Sequence, residues 1–234
     1  MIGDDKMWVV ISISIIIVLT LVLVLLTNLK DDNNYGEYHK KQITKFDKQE
    51  QETFGKEGEL SVAAMLNNII SKHYGYVFND FTFMDENGYS TNIDHIIICE
   101  GGIFIIETKS LKGIIYGNDN NEVWYQEKWQ ESKEFYNPVN QNQGHISHLK
   151  RMMGYNPPKL ISMIIFPFAD SIDNIDSKYV YDINSAYNYI VECINKNNYP
   201  KYLIDKTYAQ LNQIINQHGI SINEHKENIK NKYN

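Results

Sequence analysis

Two carboxylates and an amine lie close together in the sequence, on two neighbouring predicted strands. Asp94 falls within the predicted strand Ser90–Cys99, while Glu107 and Lys109 end the predicted strand Ile103–Lys109. The same strands contain the apolar runs Ile96–Ile98 and Ile103–Ile106. Charged side chains beside these runs need compensation, because a buried charge is costly unless it is paired or bound to a metal. These residue types therefore predict a site that holds a metal ion.

The spacing of these residues predicts that they share one face of the sheet. Glu107 and Lys109 are two positions apart in a strand, so their side chains point the same way. If Gly101 and Gly102 form a two-residue hairpin turn, Asp94 lies opposite Lys109 and diagonal to Glu107. Two carboxylates in such an arrangement attract a hard cation such as Mg²⁺, and the lysine could place a water or hold a phosphate. The pattern is typical of phosphodiester hydrolysis.

Four ordered segments of the chain resemble the nuclease-related domain (NERD) family, which is itself similar to the PD-(D/E)xK, restriction-endonuclease-like nucleases. The segments are Gly55–Glu59, Asn92–Ile97, Gly102–Lys109, and Asn137–Asn142 with His145 and Leu149, with Trp124 between the last two. The resemblance covers residues 50–155. It implies a mixed β-sheet flanked by helices and a nuclease that uses Mg²⁺ or Mn²⁺. The implied partner is nucleic acid, with DNA as the first candidate.

The resemblance also implies a role for each residue of the motif. Asp94 and Glu107 would hold the metal ion, with the backbone carbonyl of Thr108 completing its coordination. Lys109 would place the attacking water or stabilise the developing charge. Glu59 matches a glutamate that lies near the metal site in the family, and it is expected to help there.

Glycines near Glu59 suggest a close approach between its helix and another part of the chain. Gly58 precedes it directly and Gly55 lies one turn earlier. A glycine costs about 1 kcal/mol in a helix, so its presence there needs a steric reason.

Other polar and aromatic candidates each have two interpretations. Gln141 and His145 are four apart and share a helix face, where they could contact DNA phosphates, order the catalytic lysine or simply lie on a solvated surface. His95 faces away from Asp94 and is expected to be packed or hydrogen-bonded. Trp124 and Trp129 could stack on bases or pack in the core or rim.

An apolar segment near the amino terminus predicts a membrane anchor. The run Met7–Leu26 has about the 20 residues needed to cross a bilayer, and no small-residue cleavage site follows it. We therefore expect a retained single-pass helix in contact with lipid. Lysines are more numerous after the segment than before it, which predicts that the larger domain faces the cytoplasm.

Composition limits the functional classes. The 234-residue chain has a net charge of -7, which argues against tight coating of DNA but not against a nuclease. Its two cysteines, Cys99 and Cys193, agree with a reducing compartment. A non-catalytic nucleic-acid-binding module and a membrane scaffold are the alternatives to an enzyme.

The predicted organisation is an α/β fold of the restriction-endonuclease-like kind, a mixed β-sheet flanked by helices and preceded by a single transmembrane helix. The segments are a membrane anchor at 1–29, a polar linker at 30–48, a nuclease-like core at 49–155, completing strands and helices at 156–225, and a frayed polar tail at 226–234.

Overall fold

The structure is a computed structural model that describes residues 51–129, 131–154 and 158–233. Residues Phe54–Asn234 form one compact unit. The predicted anchor Met7–Leu26 and the predicted linker 30–48 lie outside the described residues. Within the described ranges, no helix is both long enough and apolar enough to cross a membrane.

Groups of strands and helices follow one another along the described chain. In chain order the elements are α1 (51–70), β1 (Gly75–Met84), β2 (Ser90–Cys99), β3 (Gly102–Thr108), β4 (Ile114–Asn118), β5 (Val123–Lys128), β6 (Glu131–Tyr136), α2 (Pro138–Met153), β7 (Leu160–Ile165), β8 (Ser171–Asp176), β9 (Val180–Tyr181), α3 (Ile183–Lys196), α4 (Lys201–His218) and α5 (Ile222–Tyr233).

The strands form two mixed sheets. The larger sheet has the order β1-β2-β3-β7-β9, in which the first three strands are antiparallel and β7 and β9 join in parallel. The smaller sheet has the order β6-β5-β4-β8, with a parallel pairing only between β4 and β8. The prediction of an α/β fold with mixed sheet and flanking helices is confirmed. Strands β4 and β5 form a hairpin that β6 and β8 extend into this second sheet. The sequence does not mark β6 and β8, because they lack apolar alternation.

Helices cover both faces of the larger sheet. Alternate residues of β2 and β3 pack with α2 and α4 on one face, and the intervening residues pack with α1 and α3 on the other. A strand buried on both faces carries an unbroken apolar run, as Ile96–Ile98 and Ile103–Ile106 do. A third cluster around Trp124 and Phe166 fills the space beneath the smaller sheet.

The hairpin between β2 and β3 turns one residue earlier than the sequence predicts. Cys99 pairs with Gly102, and His95 pairs with Ile106, so the turn residues are Glu100 and Gly101. Gly101 lies against α3, where an added Cβ would come within 2.9 Å of the backbone nitrogen of Ile194. The observed register, carried one step further, places Asp94 opposite Glu107. The predicted pairing of Asp94 with Lys109 is wrong.

The carboxyl-terminal residues form a helix rather than a frayed tail. Helix α5 continues through the predicted polar tail as far as Tyr233. Two hydrogen bonds fasten it to the β1–β2 turn, from Asn228 Nδ2 to the Gly88 carbonyl at 3.1 Å and between His225 Nδ1 and Ser90 Oγ at 2.9 Å. Polar contacts of this kind leave no apolar stripe in the sequence, which is why composition alone suggested fraying.

Candidate active site

Asp94 and Glu107 meet at one end of the larger sheet. The backbone N–H of Thr108 donates to Asp94 Oδ2 at 2.7 Å, so the carboxylate from β2 lies beside the residue that follows Glu107 on β3. The Glu107 side chain is only 4 % exposed, and the Lys109 ammonium lies 2.7 Å from its Oε1. The structure thus brings together the three residues of the predicted acid, acid and amine set.

Helix α2 supplies the other side of this cluster. Its buried Asn142 donates to the carbonyls of Ile105 and Met163 and to the hydroxyl of Ser162, which fixes the helix across β3 and β7. One residue earlier, Gln141 Oε1 accepts a hydrogen bond from Lys109 Nζ at 2.9 Å. His145 Nε2 lies 3.4 Å from Glu107 Oε2. Among the alternatives left by the sequence, the structure favours a helix face that orders the lysine.

Helix α1 approaches the same end of the sheet at Gly58. An added Cβ at Gly58 would lie 1.8 Å from Ser110 Oγ and 3.1 Å from Pro167 Cγ, so no larger residue fits without a shift. The expected close approach is therefore confirmed at this glycine. Gly55 has open space around it and needs no steric explanation, although its carbonyl accepts a hydrogen bond from Ser110 Oγ at 3.0 Å.

The two central carboxyls have opposite electrostatic environments. Burial raises the pKa of Asp94 well above its ordinary value, and the nearby charge of Glu107 raises it further. Burial also acts to raise the pKa of Glu107, but Lys109 and His145 outweigh it and lower the pKa. The surroundings therefore favour the charged form of Glu107, whereas at Asp94 the charge of Lys109 lowers the pKa too little to outweigh burial and Glu107.

Glu59 joins this acidic cluster, together with a residue that the sequence did not single out. Burial raises the pKa of Glu59, and the charges of Asp80 and Glu107 add to the increase. Asp80 lies on β1 with a left-handed φ of 52°. The charges of Lys56 and Lys226 oppose the increase at Glu59. No sequence signal marks Asp80 or Lys226, because only the folded chain brings β1 and α5 beside α1.

The donor set suits a hard cation, although it is incomplete as it stands. In the described part of the chain, no three His, Cys, Asp or Glu side chains are grouped as a metal site. Asp94 and Glu107 offer carboxylate oxygens and Thr108 a carbonyl, which are the ligand types that Mg²⁺ prefers with water completing its shell. A cation would also relieve the repulsion that raises the pKa of Asp94. The residues fit a divalent ion provided that Glu107 shares its oxygens with Lys109 and His145.

A second polar cluster lies one turn further along α2. His148 is 4 % exposed, and its Nδ1 lies 2.5 Å from Thr91 Oγ1. Its Nε2 lies 3.1 Å from Asp85 Oδ2. Asp85 also accepts hydrogen bonds from the N–H groups of Asn87 and Tyr89 in the β1–β2 turn. This cluster ties α2 to that turn.

The structure decides between the interpretations of His95, Trp124 and Trp129. His95 is buried and hydrogen-bonds to Asn79 Oδ1 at 2.8 Å, which confirms its expected packing role. Burial lowers the pKa of His95 to about 4. Trp124 is fully buried and donates to the Asn118 carbonyl, so it belongs to the core. Trp129 is 91 % exposed.

Comparison with known proteins finds one family model and one curated relative that are similar to this chain. The chain is 37 % identical over 142 residues to a Bacillus anthracis protein described as uncharacterized, and the match covers 60 % of this chain and 65 % of that relative. The chain thus spans less than two thirds of the relative's length. No solved structure matches the chain. Residues 54–167 match the model of the nuclease-related domain family, NERD, and this match supports the NERD family for that part of the chain.

Proposed function

We propose that this protein is a metal-dependent nuclease that hydrolyses phosphodiester bonds of nucleic acid, with DNA as the first substrate to test. The observation that carries the proposal is the meeting of Asp94, Glu107 and Lys109 at one end of the sheet. The match of residues 54–167 to a nuclease-related domain supports a nuclease-like function at the level of the family.

The carboxylates of Asp94 and Glu107 and the carbonyl of Thr108 would hold Mg²⁺ or Mn²⁺, with Glu59 as a further acid nearby. When bound, the ion supplies Lewis acidity toward a phosphate oxygen and a lower pKa for a bound water. The raised pKa of Asp94 favours this assignment, because a carboxyl that lacks a balancing charge gains most from a cation.

Lys109 would stabilise the charge that develops on the phosphate. Its ammonium is held between Glu107 Oε1 and Gln141 Oε1, at 2.7 and 2.9 Å, and keeps 23 % of its side chain exposed toward a substrate. Such preorganised charge needs little rearrangement during the reaction. Gln141 and His145 are positioning residues in this scheme, since they orient the lysine and the glutamate rather than touching the phosphate.

We further propose that Met7–Leu26 anchors the protein in a bilayer and that the nuclease-like domain faces the cytoplasm. The length of the apolar run and the excess of lysines after it support this arrangement. A protease-protection assay on membrane vesicles containing the full chain tests the orientation. Protection of the domain within right-side-out vesicles is the expected result, and its digestion there would contradict the proposal.

Cleavage by the full-length chain in detergent micelles tests the nuclease activity. Single-stranded and duplex DNA and RNA are incubated with Mg²⁺, Mn²⁺ or EDTA, and the products are resolved on a gel. We expect scission only with a metal ion, and a loss of about a thousandfold or more in Glu107→Gln. Glu192→Gln is the matched control, because the Glu192 side chain is 56 % exposed and pairs with Lys196 on the surface of α3. Equal activity of the Glu107 variant and the wild type would overturn the mechanism.

The second candidate is a non-catalytic nucleic-acid-binding or scaffold module on the same fold. It is favoured by the contacts of Glu107, whose two oxygens face Lys109 and His145, and by the net charge of -7. Nucleic-acid binding that persists in EDTA without scission under any metal would select this candidate.

A further inference from the structure

The turn between β5 and β6 holds a tryptophan in an unfavourable position. Lys128 pairs with Glu131, so the hairpin turns within two residues, of which Trp129 is the first. Trp129 has a φ of 61°, in the left-handed region that glycine and asparagine adopt readily in such turns. Its side chain is 91 % exposed. Neither turn chemistry nor core packing accounts for a tryptophan here, which points to a role outside folding.

A cleft of about 600 Å³ opens beside this turn, lined by Trp129 together with Lys112, Gly113, Ile114, Glu127, Lys128 and Asp170. The two acids in the lining already have partners. Asp170 Oδ2 accepts from the Gly113 N–H at 3.1 Å, and Glu127 accepts the hydroxyl of Tyr116, which raises the pKa of that tyrosine. The rest of the lining offers two lysine side chains and an indole.

A short stretch of chain connects the candidate active site with the cleft. Lys112 follows Lys109 by three residues, and its ammonium sits 4.7 Å from the ring centre of Phe54 on α1. Ile114, which starts β4, pairs with Glu127 just before the turn. A polymer bound at Lys109 could therefore continue along this loop toward Trp129.

We propose that Trp129 and its cleft bind an unpaired nucleobase of the substrate strand, with the indole stacked on the base and Lys112 and Lys128 beside the neighbouring phosphates. This inference rests on the proposed function, since it assumes that the ligand is nucleic acid. Aromatic side chains stack on bases regardless of sequence, and flanking cations attract the backbone. The site would favour single-stranded or frayed segments over intact duplex, because a paired base cannot leave its stack without cost.

Binding measured without cleavage tests this site. The full-length chain in detergent micelles is titrated with a fluorescent 12-nucleotide oligothymidine and with a 12-base-pair duplex, in EDTA and at about 0.1 M salt. We expect Trp129→Ala to weaken binding of the single strand about tenfold, whereas Trp129→Phe retains most of the affinity. Tyr202→Ala is the matched control, because it removes another exposed aromatic ring, 69 % exposed on α4. Trp129→Gly relieves the left-handed backbone, so it should weaken binding without loss of fold.

The outcomes separate this site from the nuclease proposal. Metal-dependent cleavage by the wild type, together with unchanged oligothymidine binding in Trp129→Ala, would overturn the site alone. Binding that depends on Trp129 without any cleavage would support the site and remove the nuclease. The emission of the wild type minus that of Trp129→Phe gives the fluorescence of Trp129. Binding of the oligonucleotide should quench this fluorescence. If the emission of Trp129 is already blue-shifted in micelles before any oligonucleotide is added, the indole ring is buried in detergent. That result would refute the proposed base-binding site.

Discussion

Two polar clusters that include residues of α2 contain the same kinds of side chain but differ in what these side chains contact. His145 faces Glu107 and the lysine of the candidate active site, whereas His148, one turn later, bridges Thr91 and Asp85. We name them the site cluster (Asp94, Glu107, Lys109, Gln141, His145) and the anchor cluster (Asp85, Thr91, His148). Each contains at least one acid and a histidine, partly or wholly removed from water.

The clusters differ in how well their acids are satisfied. Burial opposes the ionisation of Asp85, but two backbone N–H groups and His148 outweigh it and lower its pKa. Asp94 has one such N–H donor, from Thr108, and its pKa is raised by burial and by Glu107. A cluster that serves only the fold closes its hydrogen bonds, whereas a cluster that must accept a ligand keeps one acid short of a partner.

Among the variants that compare the two clusters, the one that removes the amine of the site cluster should have the largest effect. Lys109→Met should reduce cleavage by a hundredfold to a thousandfold, at about the cost of losing one preorganised charge in a water-poor site. Circular dichroism should show an unchanged fold. Lys196→Met, at the far end of α3, is the control and should cleave like the wild type. Full activity of Lys109→Met with added metal would remove Lys109 from the mechanism.

Replacing each of the two histidines by leucine tests the difference between the site cluster and the anchor cluster directly. His148→Leu leaves the buried hydroxyl of Thr91 without its partner, so we expect a loss of about 2–3 kcal/mol in the free energy of unfolding. Activity per folded molecule should remain. His145→Leu should lower cleavage. Its free energy of unfolding, measured by urea denaturation, should fall by about 1 kcal/mol or less, because the side chain of His145 is 17 % exposed. If both variants changed the same quantity, the division into site and anchor clusters would be wrong.

The sequence predicted the site better than the anchor for a physical reason. Alternating faces and a conspicuous glutamate–lysine pair reveal Asp94, Glu107 and Lys109, because spacing along two paired strands translates directly into space. Asp85 and Thr91 meet His148 only through tertiary packing, and nothing in local spacing signals it. The core strands β2 and β3 were predictable from their apolar runs. The exposed strands β6 and β8 and the polar helix α5 were not.

The turn between β2 and β3 shows where spacing arguments fail. Two adjacent glycines at 101 and 102 suggested the turn pair, but the turn residues are Glu100 and Gly101, and Gly101 lies against α3. Because the turn lies one residue earlier, the residue opposite Asp94 moves by two positions, from Lys109 to Glu107. The charged groups still lie together, because Lys109 is two residues after Glu107 on the same face and its ammonium contacts the Glu107 carboxylate.

Neutralising one acid in each cluster should shift stability in opposite directions. Asn in place of Asp94 can still accept the Thr108 N–H and removes repulsion with Glu107, so the free energy of unfolding should rise by about 1 kcal/mol. Asp85→Asn weakens contacts to two N–H groups and to His148, and should lower it by about 1 kcal/mol. Urea denaturation at pH 7.5 measures both. A destabilised Asp94→Asn variant would show that the site cluster is not short of a balancing charge.

The smallest effect is in the pH dependence of stability, where the two clusters should again act in opposite directions. Burial lowers the pKa of His148, with help from nearby positive charge and against the pull of Asp85. The unfolded chain then binds a proton more readily, so His148 contributes stability above its ordinary pKa of 6.5 that is lost as pH falls. The raised pKa of Asp94 has the reverse effect, because the folded chain binds the proton more readily. Stability from that group is present below 3.8 and is lost as pH rises through the raised pKa.

Denaturation curves from pH 4 to 8 for the wild type and single variants separate the two contributions. Subtracting the His148→Leu curve should leave a term that grows as pH rises through about 6.5, while subtracting Asp94→Asn should leave a term that shrinks as pH rises above about 4. Each difference is expected to be about 1 kcal/mol or less over two pH units, since one pKa unit corresponds to about 1.4 kcal/mol. Terms of the same sign would mean that both groups are held in the same way, and the contrast between a closed anchor and an open site would fail.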